Sequence, residues 1–313
     1  MQPWTFIIAA DMQVGSPRSF RYQPAWAENW ETAKKQIRDI NPDLLLIAGD
    51  LVRDGFNRYE LEAFKRDVDA LPCPVHVVPG NMDTGNKYTD RNPPRHSAEE
   101  GEFTDVELNI TSRKLRNFAG LFGGLRWSFV HKEVRFSGVS DVMLNSGLPE
   151  EEAFWRWAEE LRDQPPAQSH VWIMHYPSFI DRPDEGSGDI GDPEQVQDSY
   201  FSLDEPGRSR LIEVFHATAG REQTIVASGH IHCRLHQIFD GIQYDKVPPV
   251  GFPQQAERFE GWDTTLGFLR YDVCDEGIRR TFVPLEEVSD KEGFGPGGHP
   301  NPAYYGHPPA WEE

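Results

Sequence analysis

The chain has 313 residues, enough for one large α/β domain or two small ones. Its 51 acidic against 31 basic residues give a formal net charge of −20, and the long-range repulsion this creates argues against nucleic acid or anionic membrane as partners. No apolar run approaches the roughly 20 residues that span a bilayer, and the three cysteines, Cys73, Cys233 and Cys274, are too few and too widely spaced for a disulfide framework.

The first predicted element is a buried strand, "WTFIIAA" at 4–10. The start of the chain shows neither the basic stretch nor the long apolar segment of a signal peptide, so a soluble, cytoplasmic protein is expected. A helix over 27–40 leads to a second buried strand at 43–49, and a helix over about 57–70 leads to a third at 73–80. This βαβαβ order favours a largely parallel sheet with helices on its faces. Residues 125–142 read as a hairpin, and 150–163 as a helix whose core-facing stripe is Phe154, Trp157, Ala158 and Leu161. A strand at 170–177, a helix near 206–219 and β-rich runs at 224–229, 234–247 and 265–285 complete the body. Residues 1–286 are expected to form one domain. The Pro-, Gly- and aromatic-rich segment 287–313 is expected to be a tail, either mobile or laid over the body.

Familiar nucleotide and hydrolase motifs give no support. "GSGDIG" at 186–191 matches G-x-G-x-x-G in form, but no strand leads directly into it, and Asp184, Glu185, Asp189 and Asp192 would repel a pyrophosphate. Neither a phosphate-binding G-x-x-x-x-G-K-[ST] loop nor a G-x-S-x-G nucleophile elbow occurs.

Five other segments share one feature: an apolar strand ends and metal-type donors follow at once. They are "AADMQ" with Asp11 and Gln13, "AGDLV" with Asp50, "PGNMD" with Asn81, "IMHYP" with His175, and "SGHIH" with His230 and His232. Singly, a strand-end Asp is usually a turn former and a lone His a hydrogen-bonded structural residue. Together they change the reading, because the carboxyl ends of strands in open α/β sheets converge on one crevice. Carboxylate, amide oxygen and imidazole suit Zn, Mn or Fe better than the hard cations Ca and Mg.

In this order the segments resemble the calcineurin-like metallophosphoesterases, whose pattern is D-x-H, G-D-x-x, G-N-H-[DE], a lone His after a strand, and G-H-x-H. The resemblance covers roughly residues 4–285, and "LNSG" at 144–147 and "SYFSL" at 199–203 are similar to a D-x-Q branch of the family. It implies an α/β fold with a two-sheet β-sandwich flanked by helices in four layers. It also implies a metal-dependent phosphoesterase acting on a phosphorylated small molecule or protein by attack of a metal-bound hydroxide. Asp11, Gln13 and His232 would hold one divalent ion, Asn81, His175 and His230 a second, and Asp50 would bridge them. Ions about 3.5–4 Å apart share a water and clamp phosphoryl oxygens. Asp50 is the catalytic candidate at the bridge, and Asp83 a second, since it corresponds to the acid that orients the family's histidine.

Two positions depart from the pattern. Gln13 replaces an imidazole by a neutral amide, which implies a weaker first site or one selective for Mn or Fe. Met82 stands where the family has the histidine next to the leaving-group oxygen, and a thioether carries no transferable proton. Three explanations compete: a substrate with a good leaving group, an acid from elsewhere, or a site that binds a phosphorylated ligand with little or no turnover. The loop at 84–101 offers Lys87, Tyr88 and His96 as replacement acids. Arg18 and Arg21 are candidates for contact with substrate phosphate, the loop 181–205 for a lid, and Tyr176 and Tyr200 for cleft walls. His131, His216, His236 and Cys233 read as structural or surface residues.

Overall fold

A computed structural model describes residues 2–16, 19, 23–53, 55, 58–89, 91, 109–185, 199–254 and 261–291. Strands β1 (Trp4–Ala9), β2 (Leu44–Ala48) and β3 (Val75–Val78) run parallel, separated by helices α1 (Pro24–Ile40) and α2 (Arg58–Asp69), as the βαβαβ reading expects. Helix α1 starts three residues earlier than expected because Pro24 occupies its first turn, where a missing N–H costs nothing. It ends at Asn41, whose left-handed backbone (φ 52°) turns its N–H back to the Ile37 carbonyl.

A one-turn helix, α3 (Asn81–Thr84), follows β3 directly, and α4 (Ser112–Phe122) was not expected from the sequence. The hairpin is β4 (Arg126–His131) and β5 (Val134–Val139). Helix α5 (Pro149–Arg162), β6 (Ser169–Met174), α6 (Gly207–Ala217), β7 (Gln223–Ser228), β8 (Leu235–Phe239), β9 (Ile242–Lys246), β10 (Gly267–Cys274) and β11 (Gly277–Pro284) complete the described strands and α-helices. On α5, Phe154, Ala158 and Leu161 are buried as expected. Trp155 is buried with them, and Trp157 is only partly covered, its ring edge on Trp172 at 6.0 Å.

The strands form two mixed sheets, one ordered β11-β10-β1-β2-β3 and the other β4-β5-β6-β7-β9-β8. Hairpin β10–β11 joins the first sheet antiparallel to β1, with Trp4 opposite Val273. In the second, β5, β6, β7 and β9 are parallel, and β4 and β8 are antiparallel edges. The period-two alternation of strands sorts residues into two cores. Phe6, Ile8, Leu46, Val78, Phe136, Ile173 and Ala227 face the space between the sheets, where Phe6 stacks on Tyr271 at 4.8 Å and meets Phe136 edge-on at 5.1 Å. Ile7, Leu45, Ile47, Trp172 and Val226 face outward and pack with Trp30, Phe64, Phe118, Phe154 and Phe215 from the helices. Strands buried on both faces read as continuous apolar runs, which is why "FIIAA" and "LLLIA" lack alternation. The result is the expected α/β fold, a β-sandwich flanked by helices. Past β11 the chain runs along α1: Glu286 N–H donates to Gln36 and Ser289 N–H to Asn29. The remainder of the expected tail lies outside the described residues, as do residues 186–198 of the loop 181–205, His96, Arg18 and Arg21.

Candidate metal centre

The parallel strands of both sheets point their carboxyl ends at one edge, and the donor-bearing loops begin there. Asp11 and Gln13 follow β1, Asp50 follows β2, Asn81 opens α3 after β3, His175 follows β6, and His230 and His232 follow β7. The turns are tight. Asp11, Gln13, Asp50, His230 and His232 hold φ between 46° and 72°, making up five of the ten described non-glycine residues in the left-handed region. Side-chain-bearing residues enter that region at a cost, and such strain concentrates at functional sites. Cross-loop hydrogen bonds hold it: Asp11 N–H to the Gly49 carbonyl at 3.1 Å, Gln13 N–H to that of Asp50 at 2.9 Å, and Gly229 N–H to that of His175 at 3.0 Å.

The seven sequence-predicted donors come together at this edge, and all are nearly inaccessible to solvent. Two groups of three have ligand atoms within 4.8 Å of one another: Asp11, Asp50 and His232, and Asp50, His175 and His230. Asp50 belongs to both. Each imidazole is oriented by a backbone carbonyl, His175 Nδ1 on Ala48 (2.9 Å), His230 Nε2 on Tyr200 (2.8 Å) and His232 Nδ1 on Phe252 (2.8 Å). A carbonyl only accepts, so each bonded nitrogen carries the hydrogen and the other presents a lone pair to the cluster. His175 Nε2 thus lies 3.0 Å from Asn81 Oδ1 and 3.3 Å from Asp50 Oδ1, and His232 Nε2 lies 3.5 Å from Asp11 Oδ1. Acceptors facing acceptors at such distances repel unless a proton or a cation lies between them.

Protons do not settle that repulsion on the imidazoles. Burial lowers the pKa of His175 to about 4 and of His232 to about 3, and that of His230 falls well below the usual range, through burial and the nearby His175. They are therefore neutral, as metal ligands must be. Burial lifts Asp50 to about 7, and burial with the Asp50 charge lifts Asp11 well above the usual carboxylate range. Two carboxylates crowded in a dry pocket call for a positive partner, and a bound cation reverses their shift. Buried carboxylates, neutral imidazoles and an amide oxygen fit borderline divalent metals such as Mn, Fe or Zn.

Gln13 reaches the cluster with its amide nitrogen. Nε2 donates to Asp50 Oδ2 at 2.9 Å and lies 3.2 Å from His232 Nε2, and Oε1 accepts from Arg53 at 2.6 Å. Met82 is half-buried; its backbone N–H donates to Asp50 Oδ1 at 2.9 Å, and its sulfur lies 3.9 Å from Arg53 Nη1. Asp83 turns away from the donors. Its carboxylate accepts from the backbone N–H groups of Leu51 (3.0 Å), Val52 (3.1 Å) and Gly80 (2.8 Å), tying the loops that carry Asp50 and Asn81 to each other. That geometry ties two loops together; the imidazole that the resemblance implies Asp83 would orient is replaced here by Met82.

Two further residues carried no flag in the sequence. Asp141, buried after β5, accepts from the backbone N–H of His175 and of Tyr176 at 2.7 Å each, and Arg53 holds Gln13. An isolated Asp or Arg in a sequence gives no sign of what it faces, although Asp141 does share the strand-end position of the other donors. Tyr176 and Tyr200 wall His230, with ring centroids 4.0 and 5.1 Å from it. Lys87 is buried with its ammonium on the Ser202 carbonyl, 3.1 Å from Asp204 and 5.1 Å from the Tyr176 ring centre. Cys233 packs with Ile180, Phe201 and Ile231, and burial pushes its thiol up to about 12, so it is packing and not a thiolate. His131 pairs with Asp43 and His236 with Asp245, while His216 is exposed.

Residues 5–234, which include all seven donors, match the calcineurin-like phosphoesterase family. Among solved structures, purple acid phosphatase PPD1 from yellow lupin (Lupinus luteus) seeds superposes with a TM-score of 0.60 at 15% identity over 93% of this chain. The chain spans 53% of that protein's length. GAP50, described as the anchor in the inner membrane complex of Plasmodium, superposes with a TM-score of 0.54 at 13% identity, covering 94% of this chain and 90% of its own. Among curated protein sequences no relative is found. At such identities the structural likeness speaks for the fold, and the family match over most of the chain goes further. The chain belongs to the calcineurin-like phosphoesterases, a family of metal-dependent phosphoesterases.

Proposed function

We propose that this chain hydrolyses a phosphate mono- or diester at a two-metal centre in which Asp50 is the shared ligand. Asp11 and His232 complete one subsite, and Asn81, His175 and His230 the other. The membership of Asp50 in both donor groups carries this reading. The chemistry that two divalent ions supply in such a centre is activation of a water and neutralisation of charge on the phosphoryl oxygens.

The chain's own residues prepare the centre. The Met82 N–H fixes one oxygen of Asp50 and Gln13 the other, so the shared carboxylate is held from both sides. Asp141 fixes the backbone at His175, and Asp83 fixes the loops of Asp50 and Asn81. Tyr176 and Tyr200 exclude water from His230. With Met82 in the histidine position no proton is delivered to the leaving group from there, which favours substrates whose leaving group departs as a stable anion.

The test is hydrolysis of nitrophenyl phosphate and bis(nitrophenyl) phosphate with Mn²⁺ supplied, wild type beside Asp50→Asn. Activity on either ester that falls at least about 10²-fold in the variant supports the proposal, and the preferred ester separates monoester from diester chemistry. Met82 favours a second reading, a family member that binds a phosphorylated ligand without turning it over. Silence on both esters by protein with metal bound would decide for it.

A further inference from the structure

Gln13 stands where the family pattern supplies a metal ligand, yet its oxygen is turned away from the cluster. The orientation is fixed from both ends. Arg53 has only donors, so the amide atom 2.6 Å from its Nη1 is the oxygen. The Asp50 carboxylate accepts, so the atom 2.9 Å from its Oδ2 is the nitrogen. Turning the amide over would set NH₂ against guanidinium and oxygen against carboxylate, replacing two attractions by two repulsions.

Arg53 is itself held in place. Its backbone N–H donates to the Val14 carbonyl at 3.1 Å, its guanidinium lies 5.3 Å from the centre of the Trp26 ring, and it is only 9% exposed. The second hydrogen of Gln13 Nε2 points toward His232 Nε2 at 3.2 Å, the same lone pair an ion would use. Of the residues at that subsite, Asp11, Asp50 and His232 converge within 4.8 Å.

We infer that Gln13 serves the centre as a hydrogen-bond donor to Asp50 and not as a metal ligand, and that Arg53 is the positioning residue that keeps it so. The inference rests on the two-metal reading. It makes the Asp11 subsite a three-donor site with a fixed positive charge in its outer shell. The centre then loads in two steps, the Asn81–His175–His230 subsite first and the Asp11 subsite only at higher metal concentration.

The experiment is calorimetric titration of the full chain, stripped of metal by a chelator, with Mn²⁺. Asp11→Asn identifies the weaker step by abolishing it. Gln13→Ala is expected to weaken that step about tenfold, the loss of an outer-shell hydrogen bond to Asp50, so the deciding readout is a crystal structure of the Mn²⁺-loaded chain, in which the Gln13 amide oxygen is expected to stay on Arg53 and outside the ligand shell of the ion. Arg53→Met is expected to tighten it about tenfold, and the gain should shrink in the double variant with Gln13→Ala, where no amide oxygen is freed. Gln13→Leu replaces the alanine variant if circular dichroism shows the latter unfolded. A Gln13 amide oxygen found bound to an ion in that Mn²⁺-loaded structure would show a ligand and overturn the inference while the two-metal reading stands. An equal Arg53→Met effect in both backgrounds would reduce Arg53 to a charge and overturn the positioning role. Absence of any Mn²⁺ binding by the folded wild type would overturn the inference and the two-metal reading together.

Discussion

Gly80 shows how little room the donors have. A Cβ there would sit 2.2 Å from Asp50 Oδ1 and 2.8 Å from His175 Cε1, so any side chain displaces the shared carboxylate or an imidazole. Gly80→Ala is expected to lose about 1–3 kcal/mol in urea unfolding and about 10²-fold in ester hydrolysis. A variant as active and stable as wild type would mean that the loop gives way freely. Met82 tests a different property. Met82→His restores a proton donor beside Asp50, and general acid catalysis contributes about 10²–10⁴-fold. The gain should appear with alkyl phosphates and be small with nitrophenyl phosphate, whose leaving group needs no proton. Equal gains on both would remove the leaving-group explanation. Asp11, Asp50, Asn81, His175, His230 and His232 were legible in the sequence because each is a chemically specific residue just past an apolar run. The roles of Arg53, Asp83 and Asp141 were not, since each is set by a partner 30 or more positions away, as in the Asp83 bonds to Leu51 and the Asp141 bond to His175.

Among the elements, the single turn of α3 and helix α4 were not expected from the sequence, although the sequence does carry the signals of α4. Thr111 caps it by accepting from the Lys114 N–H at 3.3 Å, and Gly123 ends it in the left-handed conformation, with its N–H on the Ala119 carbonyl. Leu115, Phe118, Ala119 and Phe122 fall at i, i+3, i+4 and i+7 and pack on the core, with Phe118 stacked on Phe122 at 4.7 Å, so the periodic signal of an amphipathic helix is present in the sequence as well. The helix packs on α2, α3 and α5, and so braces the one-turn helix that carries Asn81. Thr111→Ala is expected to lower stability by about 1 kcal/mol in denaturant unfolding while hydrolysis by the folded protein is retained. No loss of stability would place the helix start elsewhere. The βαβαβ half was read correctly because consecutive strands pair there. The insertion of β10 beside β1, which brings Trp4 opposite Val273, joins the two ends of the chain and leaves no local trace in either segment.

For the molecule as a whole, burial ties stability to pH. His170 lies between the sheet and α6, with Nε2 at 2.8 Å from Ser137 Oγ and Nδ1 at 2.7 Å from the Thr218 carbonyl, and burial lowers its pKa to about 4. Unfolded, it takes up a proton near pH 6.5. Between these values the unfolded chain binds more protons, so the stability this residue contributes is complete above about pH 6.5 and is lost as pH falls toward about 4, by about 3 kcal/mol in all. Unfolding of wild type and His170→Gln in chelator at pH 7.5 and pH 5 should show a smaller loss in the variant; equal losses would mean that the imidazole is charged in the folded state. At the opposite, carboxyl end of β6, strands of the two sheets converge and bring the candidate metal donors to a single edge. Both sheets are needed, because Asp11, Asp50 and Asn81 come from one and His175, His230 and His232 from the other. The claim that joins them is the shared carboxylate of Asp50. Its most direct test is equilibrium dialysis against saturating Mn²⁺ followed by metal analysis of wild type and Asp50→Asn. The account predicts two ions per wild-type chain and no more than one in the variant, and two ions retained by the variant would contradict it.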